Sequence, residues 1–423
     1  MPARQEGSEL KTHQEDSDLK RSAATRAEHE LLLLCARTKV CEEDARRIGA
    51  LARGRLDWAY LLGLARRHAV TPLLQRQLEA HAGDAVPPEV RRALRQKFRD
   101  NAARNLLLAG ELVRINELLE AEGVGALAYK GPALAASAYG DLALRRFIDL
   151  DIIVRRRDVR RARDVLRALG FSATGGLTAS QEELLLRTQH NLALARDGGR
   201  LTVELHWDVA QRRFADVPIG EGVWARAAAV RVGGGEVKCL APEELLVALC
   251  VHGARHFWER LAWVCDVAEL IGSARDLDWP LALAFARDSR VERMLLLGLG
   301  LASELLGAPL PEDLRRRARR DAAAARLSRE VAHRMFDGAE FEPLGRAAGL
   351  RFNLRARRRL LEKARYFRFL LSPTDRDLAA HRLPPKLSFA YYLLRPLRLL
   401  RKAESRRQKA EGRRQPTRSS RPC

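Results

Sequence analysis

The pattern of apolar and polar positions changes twice along the chain. From residue 26 to about 120, apolar residues recur every three or four positions, as in DWAYLLGLARRHAV and in the stretch from Val90 through Leu119, which predicts amphipathic helices. From Gly123 to about residue 240, short apolar runs of strand length alternate with helical segments. From Pro242 onward, helical periodicity returns. The pattern therefore predicts an α+β segment between two helical regions.

The middle segment carries both strand and hairpin signals. VGALAYKG, FIDLDIIV and GFSAT predict strands, and helices are expected from about Pro132 to Tyr139 and from Asp158 to Leu169. NLALARDGGRLTVELHWDV predicts two strands joined by a DGG turn at 197–199, and AAVRVGGGEVKCL predicts a second hairpin. Strands that alternate with helices and then form hairpins indicate a mixed sheet with flanking helices.

These changes in pattern divide the chain into five parts. The polar beginning and the polar, basic end show neither a helical nor a strand period, so both are predicted to be disordered. The expected parts are a disordered leader at 1–25, an N-terminal helical region at 26–120, an α/β domain at 121–240, a C-terminal helical region at 241–402 and a basic disordered tail at 403–423.

Composition and cysteine usage narrow the class of protein. The chain has 423 residues, of which 47% are hydrophobic and 31% charged, as is typical of a folded protein long enough for two or three domains. No apolar run is long enough to cross a bilayer, and the first residues lack the apolar core of a signal peptide. The six cysteines form no Cys-x-x-Cys pair. We therefore expect a cytoplasmic protein without a membrane span.

The formal net charge of +22 is concentrated in part near the C-terminal end. Between Arg395 and Arg421 there are eleven Lys or Arg residues and two Glu residues. A tail of this composition most simply keeps the protein soluble, and the alternative is contact with nucleic acid or with an anionic lipid surface. No aromatic platform or recognition helix accompanies the basic residues, so nucleic-acid binding is the less favoured function.

Two aspartates stand two positions apart in the strand-like run RRFIDLDIIV. If residues 147–154 form one strand, its alternation points Asp149 and Asp151 to the same face and Ile148 to the opposite one. The two Cα atoms would then be roughly 6 to 7 Å apart, and carboxylates so close repel each other unless a cation lies beside them. We therefore expect a cation at this strand. A solvated edge strand is the alternative explanation.

A third carboxylate, Glu204, lies in the second strand of the first predicted hairpin, where it shares a face with His206. Three carboxylates on neighbouring strands suit two divalent cations held about 3.5 to 4 Å apart for phosphoryl or nucleotidyl transfer. Mg²⁺ prefers such oxygen ligands together with the phosphates of a substrate. The sequence therefore predicts a site for two Mg²⁺ ions, formed by Asp149, Asp151 and Glu204.

The order of these motifs resembles that of the nucleotidyltransferase superfamily, in which a strand, a Gly-containing turn and a helix precede an hDhDh strand (h, hydrophobic) and a third acidic strand. More specifically, the chain resembles a bacterial family of uncharacterised nucleotidyltransferases in the segments DWAYLLGLARRHAVTPLL, YKGPALA, YGDLALRRFIDLDIIV, VELHW and PEELLVALCVHGARHFWERLAWVCDVAELI. The resemblance spans roughly residues 29 to 400. It implies a nucleotidyltransferase-type mixed sheet with flanking helices in the domain at 121–240.

The resemblance implies that Asp149, Asp151 and Glu204 are catalytic acids that bind metal. The implied reaction joins the α-phosphate of an NTP to a hydroxyl or similar group of an acceptor and releases pyrophosphate, with Mg²⁺ as the cofactor. The sequence indicates neither the acceptor nor the base of the NTP. A catalytically inactive member of the same fold, which binds a nucleotide or a partner, is the alternative.

Four further residues are expected to contact the nucleotide. Gly131, after Lys130, corresponds to the phosphate-binding turn of the family. Many nucleotidyltransferases have Gly-Ser or Gly-Gly at this turn, whereas here Pro132 follows, which supplies no N–H but suits the first turn of a helix. Arg145 is a candidate for a phosphate contact or for an ion pair with the aspartates, and His206 for substrate contact or proton transfer. A surface lysine, a surface ion pair and a structural histidine are the alternatives.

His252 and His256 are four residues apart, a spacing that zinc ligands on one helical face can have. No cysteine pair and no His-Glu-x-x-His string accompanies them, so a zinc site is not the favoured explanation. The resemblance implies instead that this region, with Trp258, Arg260 and Trp263, closes the cleft or packs the lobes together.

Overall fold

The structure is a computed structural model that describes residues 26–336, 345–374 and 390–395, together with Asp377 and Leu383. The predicted leader at 1–25 and the predicted basic tail at 403–423 lie outside these residues. The described part has an α+β fold in which helices flank a seven-stranded mixed sheet. This finding confirms the fold class that the sequence predicts.

Five of the described helices precede the sheet. Their bounds are Ala27–Cys35 (α1), Glu42–Ala52 (α2), Trp58–Arg67 (α3), Thr71–Ala82 (α4) and Pro88–Ala121 (α5). Local chemistry explains where several of them begin. The Asp57 carboxylate accepts a hydrogen bond from the Tyr60 N–H at the start of α3, and a proline occupies the first turn of α4 and of α5. The helices predicted for this region are therefore present.

The strands of the described sheet are Ala126–Ala128 (β1), Leu150–Val154 (β2), Ser172–Ala173 (β3), Asn191–Arg196 (β4), Leu201–His206 (β5), Ala228–Val232 (β6) and Gly235–Cys239 (β7). They lie in the order β3-β4-β5-β2-β1-β7-β6. β2 pairs with β5, and β1 with β7, in parallel, and the other neighbours are antiparallel. Both predicted hairpins are present, and β5, β2 and β1 form the centre of the sheet.

Shorter helices connect the strands. They are Gly131–Leu134 (α6), which continues as a π turn over Ala135–Tyr139, then Val159–Ala168 (α7), Ala179–Thr188 (α8) and Glu221–Ala225 (α9). Helix α8 is not among the helices predicted from the sequence. Its signal is nevertheless present, because Thr178 and Gln181 form a capping box at its first turn.

Helices also follow the sheet, as predicted. Their bounds are Pro242–Arg255 (α10), Leu261–Ser273 (α11), Trp279–Asp288 (α12), Glu292–Leu306 (α13), Glu312–Arg320 (α14), Ala322–Phe336 (α15), Arg346–Arg355 (α16) and Leu360–Leu370 (α17). α13 is buried on almost every side because it packs against α10, α11 and α15. In the described part of the chain, no helix combines the length and the apolar character needed to cross a bilayer.

Two apolar cores lie on opposite sides of the central strands. One contains residues of α1, α3, α10 and α13 and, from the sheet, Leu127 and Ile153. The other contains the C-terminal half of α5, helix α7 and the alternate sheet positions, such as Ala126 and Ile152. The two-residue period of a strand explains this division. Helices that precede the sheet along the chain and helices that follow it therefore share one core.

Trp258 is completely buried after the end of α10, where its ring packs against Gly253 and Gly298. A Cβ atom at Gly253 would lie 2.6 Å from the Trp258 ring, so the change Gly253→Ala forces the ring or the helix to move. We expect this variant to lose about 1–3 kcal/mol of unfolding free energy, measured by urea denaturation.

Gly110→Ala is the matched control, because Gly110 lies within α5 and no neighbouring atom is within 4 Å of the added Cβ. This control should be neutral or gain about 0.5–1 kcal/mol, since alanine favours a helix over glycine. An equal loss of stability in both variants would contradict the close packing at Trp258.

Candidate active site

A cleft of about 1200 Å³ lies between the sheet, the end of α3 and the turn from α10 to α11. The three predicted acids line it, and so do Lys130, Arg145 and His206. Gly131 is buried beside Lys130. The structure therefore gathers the candidate residues of three separate strands around a single cleft.

Lys130 enters the cleft from the turn that follows β1. Gly131 makes this turn possible, because its backbone lies in the left-handed region (φ +56°) and a Cβ atom there would be 3.2 Å from the Asp149 carbonyl oxygen. The Lys130 side chain is buried, and its Nζ lies 2.8 Å from Asp151 Oδ1. The lysine is thus not a solvated residue at a strand end but the counter-charge of one predicted acid.

Asp151 and Glu204 lie opposite each other on the parallel strands β2 and β5. His206 follows two residues later on β5, and its Nε2 is 3.1 Å from Asp151 Oδ1 and 3.2 Å from Glu204 Oε2. One oxygen or nitrogen atom of each of these three side chains lies within 4.8 Å of the other two. The register of the two strands therefore assembles a compact group of atoms that can bind a metal ion.

Asp149 lies just before β2 rather than within it. Pairing of β2 with β5 starts at Leu150, opposite Val203, so the alternation expected from residue 147 does not hold, and Ile148 is 53% exposed in the cleft. Asp149 nevertheless lines the same cleft as Asp151. Its half-buried carboxylate has neither a hydrogen bond nor an ion pair among the described residues.

The surroundings shift the pKa values of these acids in opposite directions. Burial and the neighbouring Asp151 raise the pKa of Asp149 to about 6. Burial also acts to raise the pKa of Glu204, but the hydrogen bond and charge of His206 outweigh it and lower that pKa to about 2. At Asp151, Lys130 and His206 likewise outweigh burial and lower the pKa. Asp149 is therefore the acid with the greatest need of an added cation.

His206 is held by the two acids that it contacts. Burial acts to lower its pKa, but the hydrogen bonds to Asp151 and Glu204 raise the pKa overall. Its other ring nitrogen, Nδ1, is buried without a hydrogen-bond partner in the described structure. A shared proton on Nε2 thus orients both carboxylates into the cleft.

Arg145 binds an acid other than the two aspartates considered from the sequence. Its Nε donates to Asp266 Oδ1 at 2.7 Å, and its Nη2 donates to Asp266 Oδ2 at 2.8 Å. The Tyr139 hydroxyl donates to Asp266 Oδ1 at 2.7 Å. This buried, two-pronged pair ties the segment that leads into β2 to helix α11.

Three residues that support the site are absent from the sequence-based candidates. Asn191 Nδ2 donates to Glu204 Oε2 at 3.1 Å, and Arg255 Nη1 donates to His190 Nε2 at 2.7 Å. The hairpin register pairs Asn191 with His206, which shares a strand face with Glu204. The turn predicted at 197–199 sets this register, so the contact between Asn191 and Glu204 could have been predicted from the sequence. The contact of Arg255 arises from helix packing and has no comparable signal in the sequence.

His252 and His256 do not form a metal centre in the described part of the chain. The one described group of three or more potential ligands consists of Asp151, Glu204 and His206. The rings of His252 and His256 pack against each other, with centroids 4.7 Å apart, and both contact the ring of Trp263. Among the described residues no third ligand joins them, so these two rings form an aromatic contact there rather than a described group of metal ligands.

The acids around the cleft fit a hard divalent cation such as Mg²⁺. Two ionised carboxylates and the unpaired, half-buried Asp149 supply oxygen ligands, which Mg²⁺ prefers. A buried carboxylate without a partner is costly, and an ion beside Asp149 would remove that cost.

Residues 54–307 match the model of a protein family described as uncharacterised nucleotidyltransferase, which is more than half of the chain. The chain belongs to this family. The matched residues include Lys130, the three acids and the turn between α10 and α11. No curated protein and no solved structure matches the chain. The family therefore rests on the sequence match, and the fold and the acidic cleft agree with it.

The raised pKa of Asp149 predicts a pH-dependent gain of stability in the variant Asp149→Asn. The folded chain binds more protons than the unfolded chain between about pH 4 and pH 6, so its free energy of unfolding falls as the pH rises through this window. The amide of the variant has no proton to lose. In EDTA at pH 8 the variant should be more stable than the wild type by on the order of 2 kcal/mol, and this difference should vanish near pH 4.

Asp276→Asn is the control, because Asp276 is exposed and lies outside the cleft. Its effect should stay within about 0.5 kcal/mol at both pH values. Urea denaturation at each pH measures the differences. A wild type that is as stable as Asp149→Asn at pH 8 would contradict an unpaired carboxylate at this position.

Proposed function

We propose that this member of the family transfers a nucleoside monophosphate from an NTP to an acceptor and releases pyrophosphate. The observation that carries the proposal is the unpaired carboxylate of Asp149 beside the ionised Asp151 and Glu204 in one cleft. Keeping these acids together costs stability, and a role as ligands of a divalent cation explains why the fold bears that cost. The family match supports a nucleotide as the substrate.

In this proposal Asp149, Asp151 and Glu204 hold Mg²⁺, and three carboxylates suffice for two ions when substrate phosphates complete the ligands. Bound Mg²⁺ supplies the positive charge that stabilises the phosphate oxygens during transfer. His206 keeps a proton at Nε2 between Asp151 and Glu204 and so holds both carboxylates in place.

Lys130 and Gly131 act together on the phosphate side of the site. Lys130 Nζ contacts Asp151 and also the Tyr129 hydroxyl, which leaves one of its three protons for a phosphate oxygen. Gly131 keeps the lysine in the cleft through its close approach to the backbone of Asp149. Arg145 has a supporting role: its pair with Asp266 fixes the segment that presents Asp149.

A protein that binds a nucleotide without turnover is the second candidate. Lys130 already places a positive charge on Asp151, and Pro132 removes one N–H from the turn that faces phosphate. Both features weaken the case for catalysis, because the first competes with a cation at Asp151 and the second removes a donor to the phosphates. This candidate binds NTP in the same cleft and releases no pyrophosphate.

Calorimetric titration of ATP, GTP, CTP and UTP with Mg²⁺ tests whether the acids form a nucleotide site. We expect at least one NTP to bind the wild type only when Mg²⁺ is present. Asp149→Asn and Asp151→Asn should each weaken this binding about tenfold or more, since hydrogen bonds and contacts to charged groups contribute about 1.5–3 kcal/mol. Far-UV circular dichroism establishes that the variants are folded.

Asp276→Asn again serves as the control and should leave the affinity unchanged. Mg²⁺-independent binding, or full affinity in both site variants, would remove the acids from the nucleotide site. Pyrophosphate release from the bound NTP, measured with candidate acceptors, then separates the enzyme from the non-catalytic candidate.

A further inference from the structure

A second wall of the cleft comes from a single twelve-residue segment, residues 252–263, which we call the aromatic wall. It comprises the last turn of α10, the connecting turn and the first turn of α11. Its side chains that line the cleft include His252, Arg255, His256, Arg260 and Trp263. The roles proposed above use none of these five residues in contact with substrate.

Three rings form the centre of the aromatic wall. The ring centroids of His252 and Trp263 are 5.6 Å apart, and those of His256 and Trp263 are 5.2 Å apart. His256 is exposed, and the other two rings are half-buried. Rings that serve only the core would be covered, whereas these three border open space. The wall thus offers aromatic surface to whatever occupies the cleft.

The backbone of the aromatic wall is held in a strained form. Phe257 (φ +57°) and Trp258 (φ +52°) are consecutive non-glycine residues in the left-handed region, which costs free energy at each residue. The buried Trp258 ring packs against Gly253 and Gly298 and thereby fixes the conformation of this turn. Such strain persists only where the surroundings enforce it, and here it sets the direction of the side chains on either side.

The aromatic wall is also tied to His68, which directly follows α3, and to helix α15. The Leu261 N–H donates to His68 Nδ1 at 3.2 Å, and the Ala262 N–H donates to the His68 carbonyl at 3.1 Å. Arg334 Nη2 donates to the Phe257 carbonyl at 2.6 Å. Three hydrogen bonds, which involve His68 and Arg334, therefore make the wall a rigid surface, as a preformed binding site requires.

The positively charged side chains around the aromatic wall favour a ligand that has both a planar group and a negative charge. The His256 ring borders open space but is enclosed by the walls of the cleft, and this enclosure, followed by the positive charges of Arg255 and Lys130, lowers its pKa and favours the neutral ring. The exposed Arg260 guanidinium lies 5.7 Å from the Trp263 centroid and has no carboxylate partner among the described residues. Lys130 contacts Asp151, and it lines the same cleft as the acids, His256 and Trp263.

We infer that the aromatic wall binds the base of the nucleotide, with Trp263 and His256 as the stacking surface, while the acids hold the phosphates. This inference rests on the proposed function. Stacking on aromatic rings accepts every base because each has a π face, and it discriminates weakly among them. An arginine beside the rings adds a contact to the π face of the base or to a phosphate. The structure thus assigns separate surfaces of one cleft to the two ends of an NTP.

The test compares ATP with inorganic tripolyphosphate, which has the phosphates but no base. Both are titrated with Mg²⁺ into the full chain of the wild type and of Trp263→Ala. We expect the Kd for ATP to rise about 5- to 150-fold in the variant, the range that loss of one base–aromatic contact produces. The Kd for tripolyphosphate should change less than about twofold. Trp263→Phe, which keeps a ring, should recover most of the ATP affinity.

Two further variants guard against a general loss of structure. His256→Ala removes an exposed ring and should weaken ATP binding but not tripolyphosphate binding. Trp279→Ala removes a tryptophan of α12 that lies outside the cleft and should change neither affinity. Thermal melting of each variant shows whether it is folded.

Each outcome of this experiment separates the inference from the function on which it rests. Unchanged ATP affinity in both Trp263→Ala and His256→Ala would overturn the aromatic wall as the base site. Parallel losses for ATP and tripolyphosphate would overturn it as well, because the wall would then hold phosphate. A wild type that binds no NTP with Mg²⁺ would remove the proposed function itself, and the inference with it.

Discussion

A carboxylate buried at the centre of a sheet is stable only when cations and hydrogen-bond donors surround it, and Asp151 is the carboxylate around which this cleft is arranged. Its Oδ1 atom contacts both Lys130 Nζ and His206 Nε2. These partners come from the ends of β1 and β5, the two strands beside β2. The charge balance at Asp151 therefore depends on the pairing of β2 with β1 and β5. A shift of one residue in either pairing would point this acid into an apolar core.

Unfavourable features of the molecule collect around the same cleft. Asp149 has no partner in the described structure, and the buried Nδ1 atoms of His190 and His206 have none there either. The strained residues Phe257 and Trp258 lie in the turn that forms one of its walls. The extensive apolar cores on both sides of the sheet supply the stability that such features consume. A site that must receive charged ligands is where a fold is expected to carry these costs.

Local patterns were sufficient for the strands, the hairpins and the face that Glu204 shares with His206, because a two-residue period and a turn signal act over short distances. Local patterns did not predict where β2 starts, since the first paired residue depends on where the neighbouring strand begins. The partner of Arg145 could not be predicted, because Asp266 reaches it only through the packing of α11. The contact of Asn191 with Glu204 could have been predicted, because it follows from the register of the hairpin.

The core shared by helices from both sides of the sheet has a consequence for how the chain folds. α1 belongs to the same core as α13, and its residues Leu31–Leu34 are almost completely buried there. During synthesis at about 5–20 residues per second, α1 would wait roughly ten seconds or longer before α13 leaves the ribosome. Helices α2, α3 and α4 also contact α1, so the part of its apolar surface that faces α13 is the part that stays uncovered during that interval, and such surface promotes aggregation of a nascent chain. The cleft, with walls from early and late segments, is consequently among the last features to form.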